Sequence, residues 1–256
     1  MRRALIVGNW KMNLDHVEAV HLTQQLAVIL ASRPAEHVDV VVAPPFVDLR
    51  SVTSVIEAEH SALEVAAQHV NPLPSGAHTG EIAVPMLARL HVRWVIVGHS
   101  ERRTLYGMDD QIVAETARAA IAGGLRAIVC VGEAEDIRAR GEHRAFVESQ
   151  VAAALGALRA AEGDVVVAYE PIWAIGTGRT ASVADVAEMT GVIRAAVTAT
   201  GLTGVRVLYG GSVTGDNAAE LLGADVDGFL VGGASLRAES FAAIIAAGES
   251  CYAGGR

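Results

Sequence analysis

Short runs of β-branched and other apolar residues recur along the chain, and they set the narrowest limit on its fold. They are ALIV from Ala4, VDVVVA from Val38, LEVAA from Leu63, WVIV from Trp94, RAIVCV from Arg126, VVVAY from Val165, VRVLY from Val205 and GFLV from Gly228. Most are apolar without alternation, as strands buried on both faces are. Helical patterns lie between them. HVEAVHLTQQLAVIL carries Val17, Val20, Leu22, Leu26 and Ile29 as apolar positions. QIVAETARAAIAGG runs into Gly123 and Gly124, a helix stop, and VADVAEMTGVIRAAV keeps Asp185, Glu188 and Arg194 off its apolar face. Strands that alternate with helices are parallel and joined by right-handed crossovers. Eight such units within 256 residues predict an α/β chain folded as one closed (β/α)8 barrel over 1–256. The rival is an open doubly wound sheet, whose dinucleotide-binding form is weakened because no GxGxxG follows the first run.

The composition suits a well-buried globular chain: 52% hydrophobic and 19% charged, against about 25% charged in a typical domain. The net charge of -9 argues against nucleic acid and anionic membranes as partners. An anionic substrate stays open, because helix N-termini supply a local positive field. Cys130 and Cys251 have neither metal spacing nor a disulfide framework, and Cys130 within AIVCV reads as a small buried apolar residue. A reducing cytoplasm fits. No apolar run approaches the roughly 18 residues of a membrane span. MRRALIVGNWKMN is not expected to be a signal peptide. The tail ESCYAGGR (249–256) shows no helical face and is expected to be loose.

The unusual polar residues follow strands directly. Asn9 and Lys11 come after LIV, His99 and Glu101 after WVIV, Glu170 after VVVAY, Ser212 after VRVLY, and Gly232 with Gly233 after FLV. In a parallel barrel all strand C-termini open on one face, so these residues converge there. Each alone has an ordinary reading: Lys11 as a surface lysine, His99 as a helix cap, Glu170 as a cap of the next segment, the glycine pairs as turns. Their joint placement is what those readings leave unexplained. A carboxylate, an imidazole and an ammonium around one pocket can abstract a proton next to a carbonyl and stabilise the enediolate. Backbone N–H groups at Gly232 and Gly233 can hold a phosphate.

The segments GNWKMN, VGHSERR, YEPIWAIGTG, YGGSV and VDGFLVGGASL, in this order across nearly the whole chain, resemble the triosephosphate isomerase family. The resemblance implies a TIM barrel that interconverts dihydroxyacetone phosphate and D-glyceraldehyde 3-phosphate without cofactor or metal, in glycolysis and gluconeogenesis. It implies Glu170 as the base and His99 as a neutral electrophile, its pKa lowered by the helix that starts near Ser100. Lys11 matches the substrate-binding cation, with Asn9 beside it and Glu101 as the carboxylate near the lysine. Gly176, Ser212, Gly232 and Gly233 match the phosphate grip. Pro171 to Trp173 and Arg179 to Ala181 match the hinges of a lid that excludes water. A homodimer through the loop around Thr79 is also implied. His69, His78 and Met108 stand where the family commonly carries Asn or Asp, Tyr or Phe, and an acidic residue, departures that bear on the dimer interface and not on the chemistry. Rival functions are another phosphosugar isomerase or lyase on the same barrel, and a phosphate-ligand binding protein without chemistry.

Overall fold

The computed structural model describes residues 3–158, 163–175 and 180–255. Eight strands, β1 (Ala4–Asn9), β2 (Val38–Ala43), β3 (Glu64–Ala67), β4 (Trp94–Val97), β5 (Arg126–Val131), β6 (Val165–Tyr169), β7 (Arg206–Tyr209) and β8 (Gly228–Val231), close into a barrel in chain order. Every pairing is parallel, and β1 pairs with β8 through Leu5 opposite Gly228. The helices around it are α1 (His16–Ser32), α2 (Leu49–Ala58), α3 (Val84–Arg89), α4 (Ser100–Tyr106), α5 (Asp110–Ala122), α6 (Glu135–Ala139), α7 (His143–Leu155), α8 (Val183–Ala199), α9 (Ala218–Leu222) and α10 (Ala238–Ala253).

The continuous apolar runs have a simple cause. Alternate strand residues fill two different cores. Leu5, Val7, Val41, Trp94, Ile96, Ile128, Val166 and Leu208 pack inside the barrel. Ala4, Ile6, Val40, Val95, Val129, Val167 and Val207 pack outward against the helices. With both faces buried, no position on the strand middles is left for a polar residue. At the N-terminal end of the barrel Trp94 is fully buried, with the guanidinium groups of Arg126 and Arg206 at 5.0 and 5.5 Å from its ring. Its indole N–H donates to Glu64 at 2.5 Å, and Arg206 is paired with Asp39 at 2.7 Å.

Two expectations need correction. In α1 the buried stripe is Ala19, Leu22, Thr23, Leu26, Ala27 and Leu30, while Val17 is 73% exposed. Small residues at 19 and 27 let the helix sit close, and the stripe rotates toward them. The tail is not loose as far as Ala253. Residues 249–253 continue α10, Tyr252 is buried, and Glu249 takes both the backbone N–H of His37 at 2.8 Å and its ring Nδ1 at 2.6 Å. Long-range contacts, rather than local periodicity, hold it. Among the described residues no helix is long and apolar enough to cross a membrane.

Candidate active site

All strand C-termini face one end of the barrel, and a cavity of about 580 Å³ opens there. Asn9, Lys11, His99, Glu101, Glu170, Ser212, Gly232 and Gly233 line it, so the residues singled out at five strand ends do meet. Gly176 and Arg179 lie outside the described residues. Lys11 is the one lysine or arginine among the described lining residues. It therefore supplies the local positive charge on an acidic chain.

Lys11 is held in a costly backbone conformation, with φ 53°. For a non-glycine residue this region costs on the order of 1 kcal/mol. Its N–H donates to Asn9 Oδ1 at 3.0 Å, and its carbonyl accepts from Gln68 Nε2 at 2.7 Å. Those two bonds fix the turn that sends the side chain into the cavity. There Nζ donates to Glu101 Oε1 at 2.6 Å.

His99 is the N-cap residue of α4, and its Nδ1 accepts the backbone N–H of Glu101 at 3.2 Å. A ring nitrogen that accepts carries no proton, so the proton resides on Nε2. Nε2 faces Glu170 Oε1 at 2.9 Å. The other oxygen of Glu170 accepts the backbone N–H of Ser100 at 2.8 Å. Glu170 is itself buried. Burial pushes its carboxyl up, but its pairing with His99, the Ser100 N–H and Lys11 together hold it below the ordinary glutamate value. Glu170 is thus ionised.

The expected lowering of the His99 pKa is not what this arrangement produces. Burial pulls it down, but the adjacent Glu170 charge and hydrogen bond outweigh burial and raise it. The physical reason is one of distance and charge. A full carboxylate at 2.9 Å exceeds the partial charge of a seven-residue helix.

Space around Glu170 explains two glycines, Gly210 of the YGGSV segment and Gly132 just after β5. A Cβ on Gly132 would lie 1.8 Å from the Glu170 carbonyl oxygen, and one on Gly210 would lie 2.9 Å from its Cγ. Gly132 closes the β5 end against the base, and Gly210 leaves room beneath its side chain. Sequence reasoning missed Gly210, Gln68 and the Ser100 N–H. The first two stand in the quoted YGGSV and after the third strand. The last is a backbone group with no signature of its own.

His69, one of the departures, is mostly buried at the base of the loop after β3. Burial and the charge of Arg102 bring its pKa down to about 4, against the opposing pull of Glu81. The folded chain therefore holds it neutral, while the unfolded chain protonates it below about 6.5. Folding stability contributed by this group is present above 6.5 and is lost as pH falls from there to about 4. The rate is about 1.4 kcal/mol per pH unit at most. Glu81, whose pKa is lowered by bonds from Asn71 and by His69, adds its own loss at still lower pH. Denaturant titrations of wild type and His69→Asn from pH 7 to 4 should show the stability gap moving against wild type. A pH-independent gap would show that His69 does not titrate this way.

The family model described as triosephosphate isomerase matches residues 4–248. Triosephosphate isomerase of Rhodococcus jostii (strain RHA1) is 48% identical over 255 residues, covering 96% of this chain and 98% of the relative. The protein of that name from Corynebacterium diphtheriae is 49% identical over 251 residues, with 96% of each chain covered. That from Mycobacterium bovis is 48% identical over 255 residues, covering 96% and 98%.

Proposed function

The chain belongs to the triosephosphate isomerase family and is an isomerase, and from that premise we propose that it interconverts dihydroxyacetone phosphate and D-glyceraldehyde 3-phosphate with Glu170 as the base. The observation that carries the assignment of roles is the meeting of Glu170, His99 and Lys11 in one cavity.

Glu170 rests on His99 and the Ser100 N–H. To take a proton from a substrate carbon its carboxylate leaves both. The departure removes the interactions that hold its pKa down, while burial continues to push it up. The carboxylate becomes a stronger base at the moment of use. The same departure removes the largest influence raising His99, so burial then favours the neutral ring. Its Nε2–H is freed to donate to the substrate carbonyl, with the tautomer fixed by the Glu101 N–H at Nδ1. Lys11 offsets the charge of the enediolate and of the phosphate dianion. Ser212, Gly232 and Gly233 line the same cavity, and their backbone N–H groups suit a phosphate. The family resemblance adds Gly176 to that grip.

Assembly belongs to the same proposal. The loop after β3 exposes residues 74–81, including Thr79, and Met12 beside the catalytic lysine is 95% exposed. Such an arm and apolar side chain suit a second copy of the chain, giving a homodimer. Sedimentation equilibrium should return twice the monomer mass, and a monomer throughout would refute the dimer. Unpaired Cys130 and Cys251 suit a reducing cytoplasm.

A coupled assay of glyceraldehyde 3-phosphate isomerisation tests the activity, run beside a panel of longer phosphosugars. Turnover confined to the three-carbon substrate is the expected result. Turnover of a longer sugar instead, or phosphosugar binding without proton exchange, would overturn it.

A further inference from the structure

Arg138, in α6, reaches across two elements that flank Glu170. Its Nη1 donates to Glu133 Oε1 at 3.1 Å, its Nη2 donates to Asp185, and its guanidinium lies 4.8 Å from the centre of the Trp173 ring. Glu133 is fully buried at the end of β5. Its Oε1 also accepts the Tyr169 hydroxyl at 3.1 Å and the Trp173 indole N–H at 2.8 Å, and its main-chain carbonyl accepts the Ile172 N–H at 3.1 Å. One carboxylate thus gathers the residue before Glu170 and the 3₁₀ turn after it (Ile172–Ala174). Asp185 belongs to the other element. It closes the capping box of α8, accepting from the Ser182 backbone N–H at 3.0 Å.

We propose that Arg138 is a positioning residue for the isomerase reaction: by joining Glu133 and Trp173 to Asp185 it fixes the turn after Glu170 against the first turn of α8, and so sets where the base is presented. The inference rests on Glu170 being the base. The residue type fits the task. A planar guanidinium serves two acceptors and stacks on an indole at once, whereas a lysine ammonium neither stacks as a plane nor forks. A displacement of about 1 Å at a reacting group costs on the order of 10²-fold in rate, so a tie remote from the substrate can govern turnover.

The test compares Arg138→Lys, Asp185→Asn and the double variant in the isomerisation assay, with Glu170→Gln as control. Asp185→Asn leaves the Glu133–Arg138 pair in place and keeps an oxygen for the Ser182 cap. Each single change should lower kcat about tenfold or more, while the inhibition constant of inorganic phosphate stays within about twofold and the protein melts cooperatively. The double variant should be no slower than the slower single, because both cut one bridge. Wild-type kcat in Asp185→Asn, or losses that multiply in the double variant, would overturn the bridge. If Arg138→Lys does not fold, kcat of Asp185→Asn alone decides. Collapse of Glu170→Gln together with unchanged bridge variants refutes the bridge and leaves the base. Near wild-type turnover of Glu170→Gln removes the base the bridge is meant to serve, and the proposal falls with it.

Discussion

Glu170→Gln should reduce turnover by roughly 10²–10⁴, the usual worth of a positioned general base. The substitution is nearly isosteric, and its amide oxygen can still accept the Ser100 N–H that Glu170 holds at 2.8 Å. The packing set by Gly132 and Gly210 is likewise untouched. What disappears is the basic carboxylate. Affinity for inorganic phosphate should change little, so the loss falls on kcat. Melting temperature and phosphate binding, measured on the same preparation, separate chemistry from folding. Near wild-type turnover in the folded variant would refute the assignment of the base.

Lys11→Met carries the second large effect, and it should act on binding as well as rate. Methionine keeps the apolar stem, and the turn stays braced by Asn9 and Gln68. Yet the cavity loses the one cation among its described lining residues, and Glu101 loses its partner at 2.6 Å. The site would then present an uncompensated carboxylate to an anionic substrate. Rate should fall on the order of 10²-fold or more, with weaker phosphate binding and a weaker dependence of kcat/KM on salt. Unchanged affinity for phosphate would show that Lys11 does not take part in binding the anion.

The barrel was legible because both faces of its strands are buried, which leaves long apolar runs with few alternatives. The strand ends were less so. ALIV suggests a strand that stops at Val7, but β1 continues through Gly8 and Asn9, which pair with Val42 and Ala43. Pairing partners at that distance leave no local mark. The end of α10 was misread for the same reason: Tyr252 and Glu249 are held by contacts far away in sequence. At the site, side chains with distinctive chemistry were readable as a set. The Ser100 N–H was not, since every residue but proline carries one. The direction of the His99 shift was not readable either. It depends on where the Glu170 carboxylate rests, and only coordinates give that.

The Arg126–Trp94–Arg206 stack bears on traffic. With the barrel interior filled by side chains and this end plugged by a buried indole that has two guanidiniums near its ring, the chamber has one door among the described residues. Triose enters and leaves by the same mouth, so departure must precede the next arrival. Each isomer then competes with the other for one vacancy, and the net direction of flow follows whichever is drained away outside.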